Sequence, residues 1–159
     1  MLKIMKELWA RNEKLLEGRI TELSENDVSG LEYIDLVKMA FGTIFNNKDR
    51  TYFYHEADIE HIHEIDDGDY QGTYIYLIPF DTYEPSESDY MMTYVGYGSC
   101  SGCDTLQSIK YDCVSLKEQW RELKTLCRDI ICNTIKPYNG GWRSDALFEQ
   151  AEEEKYADF

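Results

Sequence analysis

The segment Gly98-Ser99-Cys100-Ser101-Gly102-Cys103-Asp104 holds the side chains best suited to chemistry in this chain. A Cys-x-x-Cys spacing brings two thiols to one side of a tight turn, and the glycines around it open backbone conformations closed to other residues. Three uses fit. Small residues let a strand and a helix pack closely, with Asp104 capping the helix. Cys100 and Cys103 supply half of a zinc site, to be completed from Cys113, His55, His61 or His63. Or the pair is a redox couple or thiol nucleophile, with His63 as the candidate base. No second Cys-x-x-Cys, no His-x-x-x-His and no aromatic-Cys-Gly-Pro-Cys pattern accompanies it. The expectation is therefore a structural turn and no cofactor, zinc being the one that these residues allow. Ser99, Ser101 and the N–H groups ahead of a helix also suit an anion, but no Gly-Lys-Ser/Thr follows and the surrounding carboxylates oppose it.

The second candidate is a charge pattern. Of 31 acidic and 16 basic residues, none of the basic ones falls between Arg50 and Lys110, while residues 51–109 hold 12 acids. That stretch carries −12 of the net −15, together with nine of the 13 tyrosines. Carboxylates steer a basic surface toward them, and tyrosine supplies rigid amphipathic contact area. The contact residues expected from this pattern are Asp66, Asp67, Asp69, Tyr70, Tyr83, Glu84, Glu87, Asp89 and Tyr90. The competing reading is a solvated face that keeps the chain soluble. A pI near 4.5 argues against direct contact with a nucleic-acid backbone. Asp66-Asp67-Gly68-Asp69 lacks calcium-loop spacing and reads as a turn. Lys117, Arg121, Lys124 and Arg128 fall at i, i+4, i+7 and i+11, a basic stripe along one helix face.

The elements that must position these residues follow from periodicity. Leu2, Met5, Leu8, Trp9, Leu15 and Leu16 predict a helix over 2–17, interrupted by Asn12 and stopped at Gly18. Residues 19–29 read as loop, and Ser29 as the cap of a second helix over 30–45. Tyr52–Ile65, Thr73–Phe80 and Tyr90–Tyr97 read as three antiparallel strands, with Ile59, His61, His63 and Ile65 on one face of the first. A short helix is expected over 104–110. Ser115 and Glu118 form a capping box for a long helix to about Thr134, in which Cys127 and Cys132 are small core residues. Residues 144–157 suggest a final acidic helix. The fold class is α+β in a single domain, 1–159: helical over 1–46, an acidic Tyr-rich β-meander over about 51–98, and helical over 104–157. No apolar run approaches a membrane span, and five cysteines without a secretory signal indicate reduced thiols.

The string Asp66-Asp67-Gly68-Asp69-Tyr70-Gln71-Gly72-Thr73, followed by Tyr94-Val95-Gly96-Tyr97-Gly98-Ser99-Cys100-Ser101-Gly102-Cys103-Asp104-Thr105-Leu106-Gln107, resembles a group of small, largely uncharacterised bacteriophage proteins. The resemblance covers about residues 60–110 and brings no catalytic residues with it. It implies a non-structural phage protein acting in the bacterial cytoplasm, a class that includes inhibitors of restriction and CRISPR systems, some of them DNA mimics. Charge and resemblance together lead to the expectation of a binding protein, not an enzyme: an accessory factor that inhibits a host nucleic-acid-handling or defence protein with a basic surface. The alternatives are a small metal- or thiol-dependent enzyme using Cys100 and Cys103, and a small-nucleotide sponge at the Gly/Ser turn.

Overall fold

Met5, Leu8, Trp9, Leu16 and Ile20 recur on one side of a single long helix, α1 (Leu2–Thr21), and all are buried. The computed structural model describes residues 2–45 and 52–135. Asn12 lies within the apolar stripe and is itself buried, its amide donating to the Leu8 carbonyl at 2.9 Å. The helix does not stop at Gly18. A helical glycine costs about 1 kcal/mol, whereas burying Ile20 one half-turn later returns roughly 2 kcal/mol. The expected loop over 19–29 is also partly helical. Ser24 caps a short helix, α2 (Glu25–Gly30), in a reciprocal box with Asp27. Ser29 caps nothing; its hydroxyl donates to the Asn26 carbonyl. Helix α3 (Tyr33–Ile44) instead begins at Glu32, whose backbone N–H donates to Asp35.

Strands β1 (His63–Asp66), β2 (Gly72–Pro79) and β3 (Tyr90–Tyr97) form an antiparallel meander in the order β1-β2-β3. The α+β architecture is as the periodicity implies, and β3 has the bounds read from the sequence. The first strand does not. Of Tyr52–Ile65, only the last three residues pair as a strand. The Asp58 carboxylate accepts the Glu60 N–H at 3.1 Å and meets the His61 ring at 2.7 Å. This local turn competes with the ladder and places His61 outside the strand. The residues before it are held differently: Ala57 makes a single bridge to Phe80, and Phe53 packs its ring between Phe45 and Phe80.

The inner face of the sheet presents Tyr76, Ile78, Met91, Thr93 and Val95, all buried. Beneath it lie α1, α3 and α5 (Leu116–Cys132), whose Leu123, Leu126, Cys127, Ile130 and Ile131 face the core. The Thr93 hydroxyl donates to the Ile130 carbonyl at 2.6 Å, tying β3 to α5. Trp120 on α5 donates to the Leu23 carbonyl at 3.0 Å. Ser115 caps α5 through the Glu118 N–H, as the capping box requires, but the Glu118 carboxylate takes the Val114 N–H instead of returning to Ser115. Ile135 exchanges both backbone hydrogen bonds with Met92, extending the sheet beyond β3 by one residue. The helix expected over 144–157 lies outside the described residues.

Candidate functional site at the turn end of the sheet

In a meander, successive connections lie at opposite ends of the strands. β2 spans Gly72–Pro79, so the β1–β2 turn and the β2–β3 connection are roughly 23 Å apart, at about 3.3 Å per residue. The expected contact residues are thereby divided. Asp66, Asp67, Asp69 and Tyr70 sit at the turn end. Tyr83, Glu84, Glu87, Asp89 and Tyr90 sit at the other, where Glu87 and Tyr90 join His63, Leu77, Met92 and Ile135 around an apolar depression of about 360 Å³.

The carboxylates in each group differ in what they do. Asp66 accepts the Tyr97 hydroxyl at 2.6 Å and the Gly68 N–H at 3.1 Å, and Asp67 accepts the Thr73 N–H at 2.5 Å. Both build the turn. Gly68 is required there because a Cβ would meet the Gln71 carbonyl oxygen at 2.2 Å. Asp89 accepts the Ser86 N–H and hydroxyl and closes a 3-10 turn over Glu87–Asp89. Asp69, Glu84 and Glu87 point outward. Tyr70 is 83% exposed and Tyr83 98% exposed. Eleven of the twelve acids of residues 51–109 are exposed or half-exposed; Asp104 alone is buried.

At the turn end the strings Asp66–Thr73 and Tyr94–Gln107 meet. Gly72 pairs with Tyr97 across β2 and β3, and the Tyr97 hydroxyl crosses to Asp66 and to the Gly68 carbonyl. Between this end of the sheet and the start of α3 lies a cleft of about 430 Å³. Its walls are the rings of Tyr33, Tyr74, Tyr76 and Tyr97, with Tyr70 at the mouth. Tyr74 and Tyr97 stack at 4.3 Å, and Tyr33 and Tyr76 lie within about 6 Å of Tyr74. Glu32, Glu64 and Asp69 line it as well, and Lys110 is the cation among its lining residues.

Burial is the main cause that pushes the Tyr33, Tyr74 and Tyr76 phenols up, and the hydrogen bond to Asp66 does the same for Tyr97. All four are neutral hydroxyls at physiological pH, so the negative charge of the cleft comes from its carboxylates. The Tyr76 side chain is fully buried and no hydrogen bond is formed by its hydroxyl; after burial, the Glu64 carboxylate opposite it on β1 is the next cause that raises its pKa. A buried unsatisfied hydroxyl costs about 1–3 kcal/mol. Tyr33, Tyr74, Tyr76, Tyr97, Glu32 and Glu64 were not among the residues singled out from the sequence. The alternation of Tyr74 and Tyr76 puts them on one strand face and is legible; the arrival of Tyr33 from α3 is not.

The cysteine turn adjoins this cleft. After Tyr97 the chain folds through Gly98–Asp104 into a short helix, α4 (Thr105–Tyr111). Asp104 is its cap, as expected, and does more: it accepts from the Gln107 N–H at 2.8 Å, the Gly98 N–H at 3.1 Å and the Tyr33 hydroxyl at 3.1 Å. Cys100 and Cys103 are brought together, their sulfurs 2.9 Å apart and both side chains exposed. The other proposed ligands are elsewhere. Cys113 lies half-buried between α4 and α5, sharing a surface depression with Cys103. His61 is held by Asp58, and His63 lies opposite Leu77, about 16 Å along the sheet from Gly72 at about 3.3 Å per residue. His63 is therefore not beside either thiol, and its ring faces Tyr90. Among the described residues, no three His, Cys, Asp or Glu side chains gather as a metal would require. The basic stripe of α5 is engaged locally: Lys124 bridges Glu13 and Glu17 of α1, and Arg121 and Arg128 pair with acids of their own helix.

No family model, curated protein or solved structure matches this chain. No helix among the described residues is long and apolar enough to cross a membrane.

Proposed function

We propose that this protein is an accessory factor that binds and inhibits a nucleic-acid-handling or defence protein of a bacterial host. Its contact surface is centred on the turn end of the sheet. The observation that carries the reading is the tyrosine-walled cleft rimmed by Glu32, Glu64 and Asp69. Such a cleft suits a lysine or arginine side chain: the rings attract a cation and the carboxylates neutralise it. The basic groove that an enzyme presents to nucleic acid is rich in these side chains, and the acidic face around the cleft favours docking into it. Carboxylates at the same position disfavour a phosphate, which weighs against a nucleotide sponge.

The test is capture on the immobilised full-length chain from bacterial lysate, followed by an assay of the captured protein. The reading predicts a nucleic-acid-binding protein, released by salt, whose binding or cleavage of nucleic acid is lost when this protein is added. A captured partner that keeps its full activity in the presence of excess protein overturns it.

A further inference from the structure

We propose that Cys100 and Cys103 form an exchange-active dithiol, with Cys103 the attacking sulfur and Cys100 the resolving one, that is oxidised to an intramolecular disulfide by low-molecular-weight disulfides such as oxidised glutathione. The inference is independent of the partner-binding reading and rests on the geometry of the turn.

The two sulfurs are 2.9 Å apart, inside van der Waals contact, so closing a bond of about 2.05 Å needs a shift of less than about 1 Å. The turn is held in that shape from outside. The Cys103 N–H donates to the Cys100 carbonyl at 3.0 Å, and Asp104 anchors the far side through Gly98, Gln107 and Tyr33. Gly98 makes the approach possible, since a Cβ there would stand 2.5 Å from both the carbonyl oxygen and the sulfur of Cys103. Both thiols are exposed, which an incoming disulfide requires.

The two sulfurs are not equivalent. Protonated, the Cys103 thiol donates to the Cys100 carbonyl at 3.3 Å; ionised, its Sγ accepts the Cys100 thiol and, at 3.2 Å, the Cys100 backbone N–H. These bonds favour the thiolate at Cys103 and hold its pKa below the ordinary thiol value, while the bond it donates pushes Cys100 up. The remaining cysteines are held differently: burial raises Cys113, Cys132 and Cys127, the last to about 12.

The step balances without any group beyond the named oxidant. The Cys103 thiolate attacks one sulfur of R–S–S–R, the S–S bond breaks, and RS⁻ leaves with the electron pair. Cys100 then gives its proton to solvent and attacks Cys103 Sγ, and the second RS⁻ departs. Two electrons have passed from the dithiol to R–S–S–R, which becomes two RSH.

The sequence supplies a direct readout. Because no Lys or Arg lies between Arg50 and Lys110, trypsin releases residues 51–110 as one peptide containing these two cysteines and no other. The folded, reduced full-length protein is incubated with oxidised glutathione, alkylated and digested. The expected result is a 51–110 peptide that takes up no alkyl group and has lost two hydrogens, while the peptides carrying Cys113, Cys127 and Cys132 remain alkylated. Cys100→Ser should trap glutathione on Cys103 faster than Cys103→Ser traps it on Cys100. A 51–110 peptide that still carries two alkyl groups, or single variants that react at equal rates, overturns the proposal. So does stoichiometric zinc in the purified protein that is lost in the double variant.

Discussion

Tyr76 is the residue at which the core beneath the sheet carries an unmet polar demand. Its ring fills the inner face of the sheet, and its hydroxyl is buried without a partner. Removing that hydroxyl removes an unmet demand and leaves the ring in place. Tyr76→Phe is therefore expected to leave stability unchanged or raise it by up to about 1 kcal/mol, read from the midpoint of urea unfolding. A clear loss of stability would mean that the hydroxyl is satisfied in the folded protein. Asp104 is the opposite kind of residue. The sequence marks it as a helix cap, yet three donors from three segments converge on its carboxylate. Capping is local and can be read from the string; the bond from Tyr33 spans 71 positions and cannot.

At the scale of elements, what was legible follows what is local. β3 alternates between open and buried positions from Tyr90 to Gly96, and its bounds match. α5 has a strong apolar stripe and a Ser/Glu start. The first strand failed because Asp58 bonds its own neighbours, a side-chain choice that overrides β-propensity. The helix stop at Gly18 failed because burial of Ile20 outweighs a glycine on an open face. The joint between α1 and α5 permits a pH prediction. The hydrogen bonds that Lys124 donates to Glu13 and Glu17 are the main causes that hold its pKa above the ordinary value. A raised folded pKa stabilises while the lysine is charged in both states. That contribution is full below the unfolded value of about 10.4 and is lost as pH rises through the folded one. Lys124→Met should cost less than about 1 kcal/mol at pH 7, and the difference from wild type should vanish at strongly alkaline pH. A difference that persists there would assign Lys124 a packing role instead.

At the scale of the whole molecule, the sequence shows one acidic, tyrosine-rich stretch and the fold makes two ends of it. Alternating turns send Asp69 and Tyr70 one way and Tyr83, Glu84 and Glu87 the other. Only the turn end adds the tyrosine-walled cleft and the bond from Tyr97 to Asp66. Asp66, Asp67 and Asp89 are poor probes of contact because they hold backbone N–H groups in place. The outward residues are clean ones, where a surface change costs within about 0.5 kcal/mol of stability. The most direct measurement is the affinity of the captured partner, across a salt series, for Asp69→Asn with Tyr70→Ala and separately for Glu84→Gln with Tyr83→Ala. The turn-end pair is expected to lose roughly 2 kcal/mol or more of binding and to flatten the salt dependence. The other pair should stay within about 0.5 kcal/mol of wild type. Loss of affinity at the Tyr83 end alone, or binding that ignores both changes and added salt, would contradict a contact surface built on the turn end.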